Sequence, residues 1–339
     1  MGQNVRMADI AQKLGISVVS VSKGLSGKDG VSDRLRRRIL DAAKELGYGN
    51  FGNGNPAKTN TKMIGVLVEE HFLAEEQSFD KNAFYFDLYR ELLTCGAPGG
   101  FTMLMEIITP DMIRGNRMPS VLTAQKMGGL IFMGEITRSY LQLLIRPGMP
   151  YVFLDFYDDD YPAHCVVSDN VRGGYKMTRL LLDAGITKIG YVGSVRATSS
   201  IMDRYSGYTK ALLQENIYPR KDWLLEDRGE DGRFIELRLP DEMPEAFVCS
   251  SDEIAYHLTE KLIDAGYRIP EDVSVTGYDD YRYAEISNPP LTTYRVDIRS
   301  MAEKALELLR VFMENPDEKP YSIVIPGEEV RRRSIREAK

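Results

Sequence analysis

Cysteine, histidine and tryptophan are scarce in this 339-residue chain, which holds three, three and one of them respectively. The three cysteines, Cys95, Cys165 and Cys249, are odd in number and far apart in sequence. This spacing argues against both a disulfide framework and a zinc site. We therefore expect three buried thiols in a reducing compartment, and no metal or cofactor is predicted.

Long apolar runs and the common catalytic motifs are also missing. No run reaches the length of a membrane span, and the polar N-terminus, MGQNVRMADIAQ, has no signal-peptide core. The sequence has no P-loop, no H-E-x-x-H and no G-x-S-x-G, and its histidines lie near no nucleophile motif. We expect a cytoplasmic protein with no membrane partner that is neither an enzyme nor a transport-associated binding protein.

Positive charge is concentrated at the N-terminus. Residues 1–62 hold eleven Lys/Arg against five Asp/Glu, a net charge of +6, and the whole chain has −7. The remainder therefore carries −13. A basic head on an acidic body indicates that only the head approaches a polyanion such as DNA.

The basic head has the apolar spacing of three short helices, predicted over 7–14, 18–25 and 33–46. Gly15 permits a tight turn after the first, and Ser17 is predicted to cap the second. Two helices joined by a three-residue turn and braced by a third form a helix-turn-helix, whose second helix can enter the major groove.

The head also resembles a known family. The elements D-I-A, L-G-I-S, V-S-K-x-L, V-S, R-x-x-I and A-A-x-x-L-G-Y occur in the order found in the DNA-binding headpiece of LacI/GalR regulators. The resemblance implies that Val18, Val19 and Lys23 face the bases, where valines would contact thymine methyl groups. The alternative is that one of the valines belongs to the core of the head.

Several hydroxyl and basic side chains of the head suit DNA phosphates, which position a DNA-binding domain. Four serines and one arginine are predicted to contact DNA in this way: Ser17, Ser20, Ser22, Ser32 and Arg37. The alternative for the run Arg36, Arg37 and Arg38 is an ordinary solvated helix face.

Residues 49–62 depart from the family pattern. The segment is rich in glycine and asparagine and has no leucine, whereas the family places here a short helix with a leucine that wedges into the minor groove. Glycine disfavours a helix, so we predict a flexible linker between a headpiece at 1–48 and a body at 63–339. Phe51 is the one large apolar residue in the segment that could act as a wedge.

The body alternates short apolar runs with amphipathic helices, which predicts a parallel α/β sheet covered on both faces. The six runs lie at 64–68, 101–105, 130–133, 152–154, 189–192 and 246–249. Elements such as IGVLV, VSDNVRGGYKMTRLLLDAG and RIPEDVSVTGYDD resemble the effector domain of the same family. That domain is similar to a periplasmic sugar-binding protein, with two doubly wound lobes joined by three crossings.

The resemblance implies a division of the body into lobes and an effector site between them. The N-lobe is expected at about 63–157 and 290–320, and the C-lobe at about 158–289 and 321–339. Ligands of such folds bind at the carboxyl ends of strands. The residues implied as effector contacts are Phe84, Tyr85, Asp155, Arg204, Ser251 and Asp279.

Four of these contacts have a structural alternative. Arg204 could form an ordinary surface pair with Asp203 or a neighbouring carboxylate. Asp279 could be a helix cap or a turn residue. Phe84 and Tyr85 could be core residues.

Two departures bear on the effector. Ser251 replaces the larger amide that the family often has, and 222–240 reads as strand, turn and strand where the family has a helix. The sequence therefore leaves open two alternatives: a pocket that binds no effector, and a phosphorylated or otherwise unusual effector.

The basic helix-turn-helix predicts a transcription regulator that binds double-stranded operator DNA, and the resemblance implies a homodimer with a small-molecule effector, a sugar or sugar derivative. The resemblance favours repression over activation. The alternative is a DNA-binding dimer whose body senses nothing. No leucine-heptad tail follows Arg333, so a tetramer formed through such a tail is not expected.

Overall fold

The structure, a computed structural model, describes residues 7–25, 31–45, 62–73, 83–123, 127–146, 148–229 and 232–337. The chain divides into two compact units, residues 1–60 and 61–339, called the head and the body below. All of the predicted linker except its last residue lies outside the described residues. Its flexibility and the role of Phe51 therefore stay predictions.

The head is built from three helices, as predicted: α1 (Met7–Leu14), α2 (Val18–Leu25) and α3 (Asp33–Glu45). One residue from each meets at the centre, since Ile10, Val21 and Ile39 are fully buried together. Gly15 adopts the left-handed conformation that ends α1. A small local core of this kind fixes which face of each helix is left for solvent.

The first sheet of the body has six parallel strands. In spatial order they are β11 (Ser322–Ile325), β5 (His164–Ser168), β4 (Tyr151–Leu154), β3 (Gly129–Met133), β1 (Met63–Glu69) and β2 (Thr102–Ile108). Alternate residues of β1 enter different cores: Val66 and Val68 face one layer and Leu67 the other. Both faces are therefore buried, as continuous apolar runs predict.

Helices cover both faces of this sheet. On the side of Val66 lie α4 (Ala83–Gly96) and α12 (Ile298–Glu314), which also pack on each other. On the side of Leu67 lie α5 (Pro110–Arg114), α6 (Ser120–Thr123) and α7 (Arg138–Leu144).

The second sheet has four parallel strands in the order β7 (Leu224–Leu225), β6 (Ile189–Val192), β8 (Ala246–Cys249) and β9 (Ser274–Thr276). Its helices are α8 (Asn170–Asp183), α9 (Ser199–Gln214), α10 (Asp252–Asp264) and α11 (Arg282–Ile286). A separate antiparallel pair joins β10 (Thr293–Arg295) to β12 (Glu328–Val330). The predicted fold class, a helical headpiece and a two-lobed parallel α/β body, is confirmed.

The predicted lobe boundaries are wrong at two strands. Residues 158–168 and 321–325 were assigned to the C-lobe, but β5 pairs with β4 and β11 pairs with β5 in the first sheet. The apolar run His164–Ser168 forms one more buried strand of that sheet before the chain crosses. The stretch 158–163 before it, which was assigned to the C-lobe, is a turn between two strands of the first sheet.

The predicted strand, turn and strand at 222–240 is only partly correct. Leu224–Leu225 forms a two-residue strand that joins the second sheet parallel to β6. The return is a single antiparallel bridge between Arg228 and Phe234 rather than a second strand. In the described part of this segment the only helical residues belong to a short 3-10 turn, Lys221–Trp223, so the helix that the family usually has is absent there, as expected.

Candidate functional site

Helix α2 exposes two apolar side chains. Val18 and Val19 are 47% and 65% exposed, whereas Val21 is fully buried in the core of the head. A helix of eight residues cannot direct every side chain into the core, and of these three valines only Val21 packs there. The alternative that Val18 or Val19 belongs to the core is therefore wrong.

The hydroxyl and basic side chains predicted to meet DNA have different local roles. Ser17 caps α2, because its Oγ accepts from the Ser20 N–H at 3.1 Å, and Ser32 caps α3 through the Leu35 N–H at 3.3 Å. The Ser17 and Ser20 hydroxyls also share a hydrogen bond of 2.9 Å. The remaining predicted contacts, Ser22, Lys23 and Arg37, are exposed.

In the body, the predicted effector residues come from both lobes. Asp155 directly follows β4 of the first sheet, and Asp279 lies three residues after β9 of the second. Both aspartates have positive φ, +70° and +108°, a strained conformation for a residue with a Cβ. The turns thereby bring two carboxylates to the carboxyl ends of the strands, where the lobes face each other.

Close packing of α8 on α9 positions Arg204. A Cβ at Gly174 would lie 2.1 Å from the carbonyl oxygen of Arg204, and one at Gly207 would lie 2.0 Å from that of Val171. Only glycine permits this approach, so the glycines of the two helices bring Arg204 against the start of α8.

The Arg204 guanidinium is held on four sides and is only 6% exposed. Its Nε donates to Asn170 Oδ1 at 2.8 Å, and Nη1 donates to the Ser250 carbonyl at 2.5 Å. The guanidinium carbon lies 3.7 Å from the centre of the Tyr278 ring, and Nη2 is 3.5 Å from Asp279 Oδ1. The surface-pair alternative is therefore wrong for Arg204: it is buried, and its acidic partner is Asp279.

The two carboxylates beside Arg204 hold their protons more tightly than ordinary aspartates. Burial and the charge of Asp155 together raise the pKa of Asp279 to about 7, against the attraction of Arg204. Burial also raises the pKa of Asp155, an effect that Arg204 and a hydrogen bond from Tyr85 oppose. These shifts follow from the desolvation of charge in an apolar interior.

Asp155 is satisfied at only one of its oxygens. The Tyr85 hydroxyl donates to Oδ2 at 2.8 Å, while Oδ1 is buried and has no hydrogen-bond partner in the described part of the chain. The structure thus brings together Tyr85, Asp155, Arg204 and Asp279 of the six predicted effector contacts.

The other two predicted effector contacts have structural roles. Phe84 is buried in the first-lobe core, edge-on to Tyr85, which is the packing alternative considered above. Ser251 caps α10 by accepting from the Ile254 N–H at 3.3 Å. Asp279 is not a helix cap, because α11 begins after Tyr281; it is a turn residue that also pairs with Arg204.

Three hydrogen bonds that sequence reasoning missed join the lobes around this group. The Ser199 N–H donates to Glu135 at 2.7 Å, the Tyr157 hydroxyl to Asp203 at 3.0 Å, and the Tyr281 hydroxyl to Asp87 at 3.3 Å. Each joins residues more than forty positions apart, so no local motif signals them. Asn170 and Tyr278, by contrast, lie inside motifs quoted above and could have been proposed.

Two family models match the chain, one over the head and one over the body. The family model described as "Bacterial regulatory proteins, lacI family" matches residues 6–49, and "Periplasmic binding protein-like domain" matches residues 178–335. The chain thus carries a lacI-type DNA-binding domain followed by a periplasmic binding protein-like domain. Both matches agree with the resemblance indicated by the motifs of the head and the body.

Relatives of known name agree over nearly the whole length. The HTH-type transcriptional repressor PurR of Mannheimia succiniciproducens is 28% identical over 338 residues, 97% of this chain and 98% of the relative. The "transcriptional regulator CelR-cellobiose complex" shares the fold with a TM-score of 0.69 at 23% identity, covering 97% of this chain and 99% of that chain. The lac repressor dimer bound to operator and the anti-inducer ONPF has a TM-score of 0.63 at 20% identity, covering 98% and 99%.

The relatives, which include the HTH-type transcriptional repressor PurR and a ribose operon repressor of Haemophilus influenzae, are transcriptional repressors and not enzymes, in agreement with the prediction. Within the described ranges, no helix is both long and apolar enough to cross a membrane.

Proposed function

We propose that this protein is a transcriptional repressor that binds operator DNA as a homodimer and responds to a small molecule, a sugar or sugar derivative, bound between its lobes. The observation that carries the proposal is the exposure of Val18 and Val19 on a helix whose neighbouring Val21 is fully buried. Exposed valines at the start of a short helix suit thymine methyl groups in the major groove.

Phosphate contacts would fix the position of α2 in the groove. Lys23 and Arg37 supply positive charge, and the hydroxyls of Ser17, Ser20, Ser22 and Ser32 supply donors near two helix N-termini. In this proposal residues 1–48 read DNA and residues 49–62 connect them to the body. The body binds the effector and the second subunit of the dimer.

Dimerisation rests on the geometry of recognition. One headpiece reads only a few base pairs, so two copies related by a two-fold axis would read a pseudo-palindromic site with far higher specificity. The lac repressor structure that shares this fold is a dimer bound to operator DNA, which supports the same assembly here.

The effector half of the proposal rests on Tyr85, Asp155, Arg204 and Asp279. An aromatic hydroxyl, two carboxylates and a guanidinium are groups that bind sugar hydroxyls, and here they come from both lobes. A ligand that joins them would favour one lobe arrangement and so alter the affinity of the dimer for DNA. The fold neighbour with bound cellobiose supports a carbohydrate.

A salt titration of operator binding tests the proposal. The operator would first be selected from a random duplex library with the full-length protein, and its affinity then measured by fluorescence anisotropy from low to high salt. We expect Lys23→Ala and Arg37→Ala each to weaken binding and to lower the salt slope by about 1.

Lys304→Ala, in an exposed pair on α12, is the matched control and should change neither quantity. If both head variants kept the affinity and salt slope of the unsubstituted protein, the docking of α2 proposed here would be wrong.

A further inference from the structure

The centre of the cleft between the lobes holds more negative than positive charge. The guanidinium of Arg204 pairs with Asp279 and attracts the charge of Asp155, but it is already bound to Asn170 and to the Ser250 carbonyl. With both aspartates ionised the group has a net charge of −1 in a site from which water is largely excluded. A buried charge without a partner is costly, so a ligand of opposite charge would stabilise the group.

Among the described residues, neighbouring cations do not correct this imbalance. Arg228 attracts Asp279, but it lies 3.4 Å from the buried carboxylate of Asp227 and stacks on Phe234, so most of its charge is matched there. Arg138 points to the surface acids Asp158 and Asp160.

Two further acids lie where the lobes meet, and both accept hydrogen bonds from neutral donors. Glu135 accepts from the Ser199 N–H, and Asp203 accepts from the Tyr157 hydroxyl. Burial raises the pKa of each, which shows that nearby cations do not offset the loss of water.

Asp155 supplies a separate observation that points to a donor. The residue is 4% exposed, and its Oδ1 has no hydrogen-bond partner in the described part of the chain, although Oδ2 is satisfied by Tyr85. Buried polar atoms in folded proteins are nearly always hydrogen-bonded, and an unmade bond to a charged acceptor is especially costly. When Asp155 is ionised, the missing group must donate.

We infer that the effector carries a protonated amine, which is placed against Asp155 Oδ1 and near Asp279, so that the ligand class is an amino sugar or another small cationic compound rather than a phosphorylated sugar. This inference rests on the proposed function. An ammonium supplies both the missing hydrogen-bond donor and the missing positive charge. A phosphate would instead add negative charge to a site that already has an excess.

A charge-sorted ligand screen tests the inference. The full-length protein would be mixed with a metabolite library divided by charge at pH 7 into amines, neutral compounds and acids, with D-glucosamine, D-glucose and D-glucose 6-phosphate as a matched set. Unfolding midpoints and operator affinity would be measured for each. We expect amines alone to raise the midpoint, because a ligand bound only by the folded state stabilises it.

Substitutions then place the amine. Asp155→Asn and Asp279→Asn should each weaken the best amine about tenfold or more, whereas Asp264→Asn, an exposed aspartate at the end of α10, should leave its affinity unchanged. The second variant keeps the test valid if the first fails to fold, and ligand-free midpoints identify that case.

The outcomes separate the two proposals. Stabilisation by neutral compounds or acids, or by amines whose affinity neither cleft variant reduces, would overturn the inference while leaving a small-molecule regulator. If no compound raised the midpoint or altered operator affinity, both the inference and the effector half of the proposed function would fail, and DNA binding would stand.

Discussion

Folded proteins usually bury apolar side chains and expose charged ones. Helix α2 and the cleft between the lobes depart from this rule in opposite ways. On α2 the apolar Val18 and Val19 face solvent, whereas in the cleft the charged Asp155 and Arg204 are almost wholly buried. Each arrangement costs free energy in the unbound protein, through exposed apolar surface in one case and desolvated charge in the other. A partner that covers the valines, or one that matches the cleft charges, would remove that cost.

The two regions also differ in how tightly they are specified. The valines are left outside by a small core, and nothing in the described head holds them in one place. Arg204 is held by two hydrogen bonds, an aromatic ring and a carboxylate, all in the same lobe. A surface that adapts suits a long polymer such as DNA, and a rigid buried cation suits the selection of one small molecule.

The largest effect is expected from removal of the cleft cation. Arg204→Met leaves Asp279 and Asp155 buried without a counter-charge, so the free energy of unfolding of the body should fall by about 3–5 kcal/mol. Urea denaturation followed by circular dichroism measures this change. Arg310→Met, in an exposed helical pair, is the control and should stay within about 0.5 kcal/mol.

A loss below about 1 kcal/mol for Arg204→Met would mean that the cleft charges are matched in some other way. In that case Arg204 would not be what holds the cleft together, and the difference drawn between a rigid cleft and an adaptable α2 would be wrong.

The pH dependence of stability should carry the next largest effect. The pKa of Asp279 is about 7 in the folded protein, raised by burial and by Asp155 and lowered by Arg204 and Arg228, against an ordinary value of 3.8. The folded state binds the proton of Asp279 more tightly than the unfolded state does. Protonation of Asp279 therefore contributes its full stabilisation below about pH 4. It is lost as pH rises to about 7, and amounts to about 4 kcal/mol at most.

Asp279→Asn isolates this contribution. Burial raises the pKa of Asp155, Asp203 and Asp252 in the same direction, so the unsubstituted protein should lose stability over a wider range of pH. Because Asn resembles the protonated aspartate and does not titrate, the stability of Asp279→Asn relative to the unsubstituted protein, from urea unfolding at a series of pH values, should rise between about pH 4 and 7. A difference that is independent of pH would show that Asp279 is ionised throughout.

Much of the head and of the strand pattern could be predicted from the sequence, because short-range spacing specifies both. Helix periodicity and the cap at Ser17 predicted α1 to α3, and continuous apolar runs predicted buried parallel strands. The lobe boundary was wrong at His164–Ser168, because an apolar run does not say which of two sheets it joins. That choice depends on contacts between residues far apart in sequence.

The cleft was harder to predict for the same reason. Arg204 and Asp279 lie inside motifs, but what makes them a site is their burial, and burial depends on Asn170, Ser250 and Tyr278. Phe84 shows the opposite failure, since its position beside Tyr85 indicated a ligand contact while the fold uses it in the core. Sequence spacing places residues on an element but does not say which neighbours surround them.

A substitution on the exposed face of α2 is expected to have the smallest effect on folding but a specific effect on DNA binding. Val19→Ala removes two methyl groups that are exposed in the free protein, so the unfolding free energy of the head should change by less than about 0.5 kcal/mol. On DNA the same methyl groups are expected to contact a thymine, and their loss should weaken operator binding by about 1–2 kcal/mol, or about 5- to 30-fold. Fluorescence anisotropy on the selected operator measures this change.

Val21→Ala is the matched substitution on the buried side of the same helix. It should reverse the order of effects, lowering the unfolding free energy by about 1–3 kcal/mol because it leaves a cavity in the core of the head. Replacing the contacted thymine by uracil, which lacks the methyl group, should weaken the unsubstituted protein but not Val19→Ala. Equal losses for both proteins on uracil would show that Val19 lies near the DNA without reading it, and that exposure of an apolar side chain on α2 does not by itself identify a base contact.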